Sequence, residues 1–281
     1  MGQLKPFKGN YYLWSYVPSI AAAIISLLCF AALTAICIYR LFKTRTWFCL
    51  PFAVGGIFQL YGYGGRIGAH INTASLFSYA ISNQGVLLAP ALYAATIYMI
   101  LGRIIRALQA ERLSPVPPKW MTRAFVLGDI LSFVVQGSSV GLSVTGRNKG
   151  AMAVILLSLF IQIVSFGLFG FTSIIFYRRI LRNPTSACFN SNMPWERILH
   201  MLNAVSALIM ERSIFRVVEN AMGTDGYLLR HEWTLYIFDS VPMLVVMVLF
   251  YIWYPSGLKA GGTRGFLFTY KFIMAAWTVS L

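Results

Sequence analysis

Glu211-Arg212-Ser213-Ile214-Phe215-Arg216-Val217-Val218-Glu219 places four ionisable side chains within nine residues, at the end of an apolar run that begins near residue 198. That run has the length needed to cross a bilayer, about 20 residues. An ionisable group in hydrocarbon is expensive and is kept where it faces partners or water. The stretch therefore carries two messages at once. The chain belongs in a membrane, and its helices enclose a polar interior.

Composition agrees. The 281 residues are 58% hydrophobic and 11% charged, with a mean hydropathy of +0.69, against roughly 25% charged residues in a soluble domain. No polar stretch is long enough to fold separately, so residues 1–281 read as one membrane domain. Apolar runs over 15–39, 47–68, 79–101, 121–144, 152–176, 198–218 and 233–254 predict seven transmembrane helices. A short N-terminal segment precedes them and a tail over 255–281 follows. The fold expected is all-α: a polytopic seven-helix bundle.

The net charge of +15 would suggest nucleic acid in a soluble protein. Here the basic residues fall in the gaps between spans, and no nucleic-acid-binding signature accompanies them. Fifteen lie in the gaps after spans one, three, five and seven, and five lie on the opposite side. That asymmetry puts the N-terminus outside and the C-terminus in the cytoplasm.

Inside the spans, residues seven apart on a helix stay within about 20° of one line. Gln59, Tyr63 and Arg66 therefore share a face of span two, and Arg212, Arg216 and Glu219 share a face of span six. Glu211 points roughly 100° away from the latter face. Asp129 aligns with Gln136 in span four, and Glu232 with Asp239 in span seven. Spans two and six read as interior-facing helices. The ionisable residues allow two roles: a lock between helices two, six and seven, or the lining of an outward-opening cavity for the polar head of an amphiphile. Both can hold together. Pro90 and Pro242 predict kinks in spans three and seven.

Other chemistry has little support. Cys29, Cys37, Cys49 and Cys188 show no paired spacing. His70, His200 and His231 show no metal-ligand pattern, so no metal site is expected. No phosphate-binding loop motif is present, and no lysine in span seven offers a Schiff-base nucleophile. The expectation is a non-enzyme with no catalytic residues and no cofactor.

Taken together, Arg212-Ser213-Ile214-Phe215-Arg216-Val217-Val218-Glu219 followed by Gly223, Asp225, Gly226, His231-Glu232, Tyr236 and Phe238-Asp239 resembles the fungal lipid-translocating exporter family, the RTA-like (resistance to aminocholesterol) proteins. Gly62-Tyr63-x-x-Arg66, Ala89-Pro90-Ala91-Leu92-Tyr93-Ala94-Ala95-x-x-Tyr98 and Asp129-x-x-Ser132-Phe133-x-x-Gln136 strengthen the resemblance. It implies seven spans, an extracellular N-terminus, a plasma-membrane address, and the movement or export of lipids such as sphingoid long-chain bases, with resistance to toxic amphiphiles. The family pattern often has an acidic residue where this chain has Gln59, so this position contributes no carboxylate. The expected substrate-binding set is Gln59, Tyr63, Arg66, Glu211, Arg212, Arg216, Glu219 and Asp239, with Asp129, Gln136 and Glu232 as secondary polar positions. The expected partners are membrane lipids or amphiphilic small molecules, with no nucleic acid. A seven-helix receptor or sensor is the alternative that span count alone supports equally well.

Overall fold

The computed structural model describes residues 14, 16, 18–73, 75–144, 148–190, 194–222, 226–255 and 258. The tail expected over 255–281 lies outside the described residues except for Pro255 and Leu258. So do Gly223, Asp225 and the side chain of Gln136.

Among the described residues the chain is helical, without strands. The long elements are α1 (Ile20–Thr44), α2 (Leu50–Ile71), α3 (Leu76–Ala107), α4 (Pro118–Val144) and α5 (Asn148–Arg182). A short α6 (Ser186–Asn190) leads to α7 (Trp195–Ala221) and a one-turn α8 (Tyr227–Arg230). The last helical run is composite: α9 (Glu232–Leu235), a π-helical turn (Tyr236–Ser240) and α10 (Val241–Ile252). Five segments are long and apolar enough to cross a membrane: Ile20–Thr44, Phe77–Ala107, Met152–Arg182, Trp195–Ala221 and Glu232–Ile252. The glycines, Gln59 and Arg66 of α2 dilute its hydropathy below theirs, and the described side chains of α4 end at residue 135.

Local sequence explains these bounds. Pro18 and the extended Ser19 precede α1, and Arg45 ends it in a left-handed conformation at φ 53°. Pro51 sits in the first turn of α2, where its missing N–H is not needed. Ser75 caps α3 by accepting from the Ser78 N–H at 3.3 Å. Along α1 the buried residues are Ala23, Ser26, Phe30, Thr34, Cys37 and Leu41, one stripe at helical spacing. The rest of α1 exposes Ile25, Leu28 and Phe42, and α5 exposes Phe160, Leu168 and Phe171. So much exposed apolar surface would aggregate in water and suits lipid.

The central helix is α3, with 94% of its apolar stretch buried, against 28% for α1 and 22% for α5. The faces of α2 and α7 that were expected to turn inward are buried. The more completely enclosed helix is α3, lined by Gly85, Ala89, Ala91, Ala94 and Ala95, because its small residues let neighbours approach on several sides. A Cβ on Gly85 would fall 2.7 Å from the Gly62 backbone nitrogen, and one on Gly62 would fall 2.7 Å from Val86 Cγ2. Backbone thus meets backbone where α2 crosses α3. That contact brings the polar face of α2 into the same interior as α7 and the π turn.

Candidate functional site

On α2, Gln59, Tyr63 and Arg66 are all buried, as their shared face predicts. On α7, Arg212, Arg216 and Glu219 are buried together. The π turn of the last helical run supplies Asp239 and Ser240, both buried. Pro242 follows and has no N–H for the helical ladder, so the widened turn sits where that ladder is already interrupted. A π turn inserts one residue, and here it brings two consecutive side chains, Asp239 and Ser240, inward.

Asp239 is the hub. It accepts from Nε of Arg212 on one oxygen and from Nη2 of Arg216 on the other. Arg216 also donates through Nη1 to Glu219 Oε2 at 2.9 Å. Arg212 turns its Nη2 to the backbone carbonyl of Val86 in α3 at 2.8 Å. Val86 stands four residues before Pro90, which cannot donate to it. The proline therefore frees an acceptor in the middle of the central helix, and Arg212 takes it. One guanidinium thereby ties α3, α7 and the π turn together. Beside it, the Tyr63 and Ser240 hydroxyls share a hydrogen bond joining α2 to the π turn.

Towards the C-terminus of α2 lies a second cluster. Arg66 pairs with Glu232 at 3.5 Å and donates to the Tyr16 hydroxyl at 3.3 Å. The rings of Trp14 and Tyr236 each lie 5.8 Å from its guanidinium carbon. Both Glu232 oxygens accept from the Ser19 backbone N–H, at 2.9 and 3.1 Å. This sets a carboxylate at the start of α1, where the helix dipole favours it. His70 Nδ1 donates to the Pro18 carbonyl at 2.7 Å, holding the same segment against α2.

The two clusters are balanced: Arg66, Arg212 and Arg216 against Glu219, Glu232 and Asp239. Some hydrogen-bonding capacity is left unused. Nε of Arg66 and Nε of Arg216 are buried without an acceptor, and so is the Gln59 Oε1 without a donor.

Three expected positions, Glu211 and Gln59 of the substrate-binding set and the secondary Asp129, make no bond to the network. Glu211 is exposed on the outer surface of α7, as its 100° offset dictates, and takes no part in the network. Gln59 is buried on the correct face but bonds to none of the ionised groups. Asp129 lies against Tyr98, away from all three arginines. Glu232, expected only as a secondary position, is the direct partner of Arg66. Sequence reading missed Ser240 and the Val86 carbonyl. The signal for Val86 was present in Pro90, because a mid-helix proline always leaves the carbonyl four residues earlier without its helical donor.

The three histidines have separate partners, His200 meeting the Tyr177 hydroxyl at 3.0 Å and His231 the Tyr227 carbonyl at 2.9 Å. Among the described residues no group of three or more His, Cys, Asp or Glu converges as a metal site would.

Comparison with known proteins gives one consistent answer. The family described as RTA1 like protein matches residues 52–261. Protein RTM1 of Saccharomyces cerevisiae is 37% identical over 218 residues, covering 76% of this chain and 70% of its own. Protoporphyrin uptake protein 1 of S. cerevisiae is 37% identical over 205 residues, covering 72% of this chain and 66% of its own. The sphingoid long-chain base transporter RSB1 of S. cerevisiae is 26% identical over 277 residues, covering 85% of this chain and 72% of its own. The chain thus spans about two thirds of the length of these relatives. No solved structure matches it.

Proposed function

Because the chain belongs to the RTA1-like family of membrane proteins, we propose that it translocates or exports amphipathic lipids or lipid-like compounds of the sphingoid-base type, so contributing to resistance against toxic amphiphiles. The observation that carries this reading is the hub at Asp239. Five buried charges and the half-buried Glu232 form balanced clusters inside a lipid-clad bundle, and their hydrogen-bonding capacity is incompletely used. A purely structural lock has no need of buried guanidinium N–H groups left over. Relatives named for sphingoid long-chain base transport and protoporphyrin uptake support the substrate class.

The chemistry of binding follows from the pairing. Asp239 is occupied by two arginines, while among the described residues Glu219 pairs with Arg216 alone. An ammonium head reaches a carboxylate by replacing Arg216 at Glu219. A hydroxyl or phosphate oxygen on the same head accepts from Arg216 Nε. An amino-alcohol head satisfies both while its tail remains in lipid. Glu219 and Arg216 are thus the recognising pair, Asp239 and Arg212 hold Arg216 in place, and Tyr63 lies alongside.

In the membrane we place seven spans, with α2 and α4 as the two beyond the five counted by hydropathy. The C-termini of α2 and α7 face outside, as the fifteen-to-five distribution of basic residues favours. The plasma membrane is the address proposed. Reconstitution into liposomes with labelled long-chain bases and related amphiphiles, with and without a pH gradient, tests the function. Transfer between leaflets faster than in protein-free liposomes is expected, and equal rates for every amphiphile would refute it.

A further inference from the structure

Asp129 stands apart from the charge network. It lies on α4 with 1% of its surface exposed. Its Oδ2 accepts from the Tyr98 hydroxyl of α3 at 3.1 Å, and its Oδ1 is buried without a partner. Around Tyr98 close the rings of Phe125, Phe166 and Phe169, with centroids at 5.5, 5.9 and 4.5 Å. The neighbouring Gly128 meets α5 so closely that a Cβ would fall 2.6 Å from Ser165 Oγ. The cage is therefore sealed on its α5 side.

The counter-charges are what distinguish this acid. Glu219, Glu232 and Asp239 each pair with an arginine. Among the described residues Asp129 has no cation within ion-pair distance. The titratable group facing it is Tyr98 from α3. From α5 come Ser165, Phe166 and Phe169, none ionisable, and on α4 itself Arg123 is six residues away and exposed. A carboxylate in such surroundings has, among the described residues, neither solvent nor counter-charge, and an unpaired buried charge is costly.

We infer that Asp129 is a proton-binding site separate from the charge network, holding its proton while α3, α4 and α5 are packed and releasing it when that packing opens to water. On release the Oδ–H bond breaks, the electron pair stays on the carboxylate and the proton passes to water. The site as such stands on its own geometry. Its use in driving transport rests on the translocation reading above.

Infrared spectroscopy of the purified chain in lipid nanodiscs tests the site. At neutral pH the wild type shows the carbonyl stretch of a protonated carboxyl, and Asp129→Asn removes it. Tyr98→Phe shifts the same band to higher frequency, because the carbonyl loses its donor, and this variant leaves the acid in place should Asp129→Asn fail to fold. Glu211→Gln removes any contribution from the exposed acid on α7. A wild-type spectrum with no band sensitive to either Asp129→Asn or Tyr98→Phe overturns the inference. In liposomes, Asp129→Asn is expected to abolish the response of transport to a pH gradient while leaving transport without one. An unchanged response overturns the driving role. A wild type that moves no amphiphile refutes the translocation reading and leaves the infrared result standing.

Discussion

Replacing Asp239 by Asn removes the one negative charge that both Arg212 and Arg216 share. The inner cluster then passes from neutral to a net positive charge, in an interior where Arg212 is 3% and Arg216 8% exposed. Breaking a buried pair by removing one partner costs about 3–5 kcal/mol, because a charge is left without compensation. Asp239 compensates two cations, so the upper part of that range applies. This is a large share of the roughly 5–15 kcal/mol that holds a typical protein folded. The diagnostic experiment is restoration of neutrality. Replacing Arg212 by Met in the Asp239→Asn chain removes the surplus charge and leaves only the Val86 carbonyl unsatisfied, at about 1–3 kcal/mol. Thermal and denaturant unfolding of purified protein in one detergent measures the single and double variants. The double variant should be more stable than Asp239→Asn alone, a sign that independent effects cannot produce. Additive losses, or an Asp239→Asn variant within about 0.5 kcal/mol of wild type, would refute the argument that charge balance holds this cluster together.

Other perturbations follow from the same geometry. Arg212→Lys loses the fork that spans Asp239 and the Val86 carbonyl, and should cost about 1–3 kcal/mol. In a Pro90→Ala background that cost should shrink, because alanine at this position restores a backbone N–H to the Val86 carbonyl, and a double-mutant cycle in unfolding measures the difference. Gly85→Ala forces a methyl against the α2 backbone and should destabilise by about 1–3 kcal/mol in the same assay. Glu232→Gln should raise hydrogen exchange at the start of α1, where the carboxylate now accepts from Ser19.

Much of this architecture was legible in the sequence. The long helices follow from the length and periodicity of the apolar runs, and the inward faces of α2 and α7 follow from seven-residue spacing. Gln59, Tyr63 and Arg66 fall on one face, as do Arg212, Arg216 and Glu219, because both helices are regular through those stretches. Angular reasoning also placed Glu211 off the α7 face, so its inclusion among the cavity residues conflicted with its own geometry. What the sequence did not disclose depends on tertiary packing or broken periodicity. The π turn brings Asp239 and Ser240 inward together, which no regular helix does for consecutive residues, and spacing along the chain carried no sign of it. The central position of α3 comes from small residues, which give weaker signals than charges. The partner of Asp129 comes from another helix, and no spacing rule within α4 could have named Tyr98.

The most direct test of the substrate site is photolabelling by a long-chain base that carries the reactive group beside its amine. Mass spectrometry of the labelled chain should find adducts around Tyr63, Phe215 to Glu219 and Tyr236 to Ser240, suppressed by unlabelled base and reduced roughly 10–100-fold by Glu219→Gln, the equivalent of losing one charge-assisted hydrogen bond of about 1.5–3 kcal/mol. Labelling confined to the exposed faces of α1 and α5, from a chain that still transports the compound, would contradict the account.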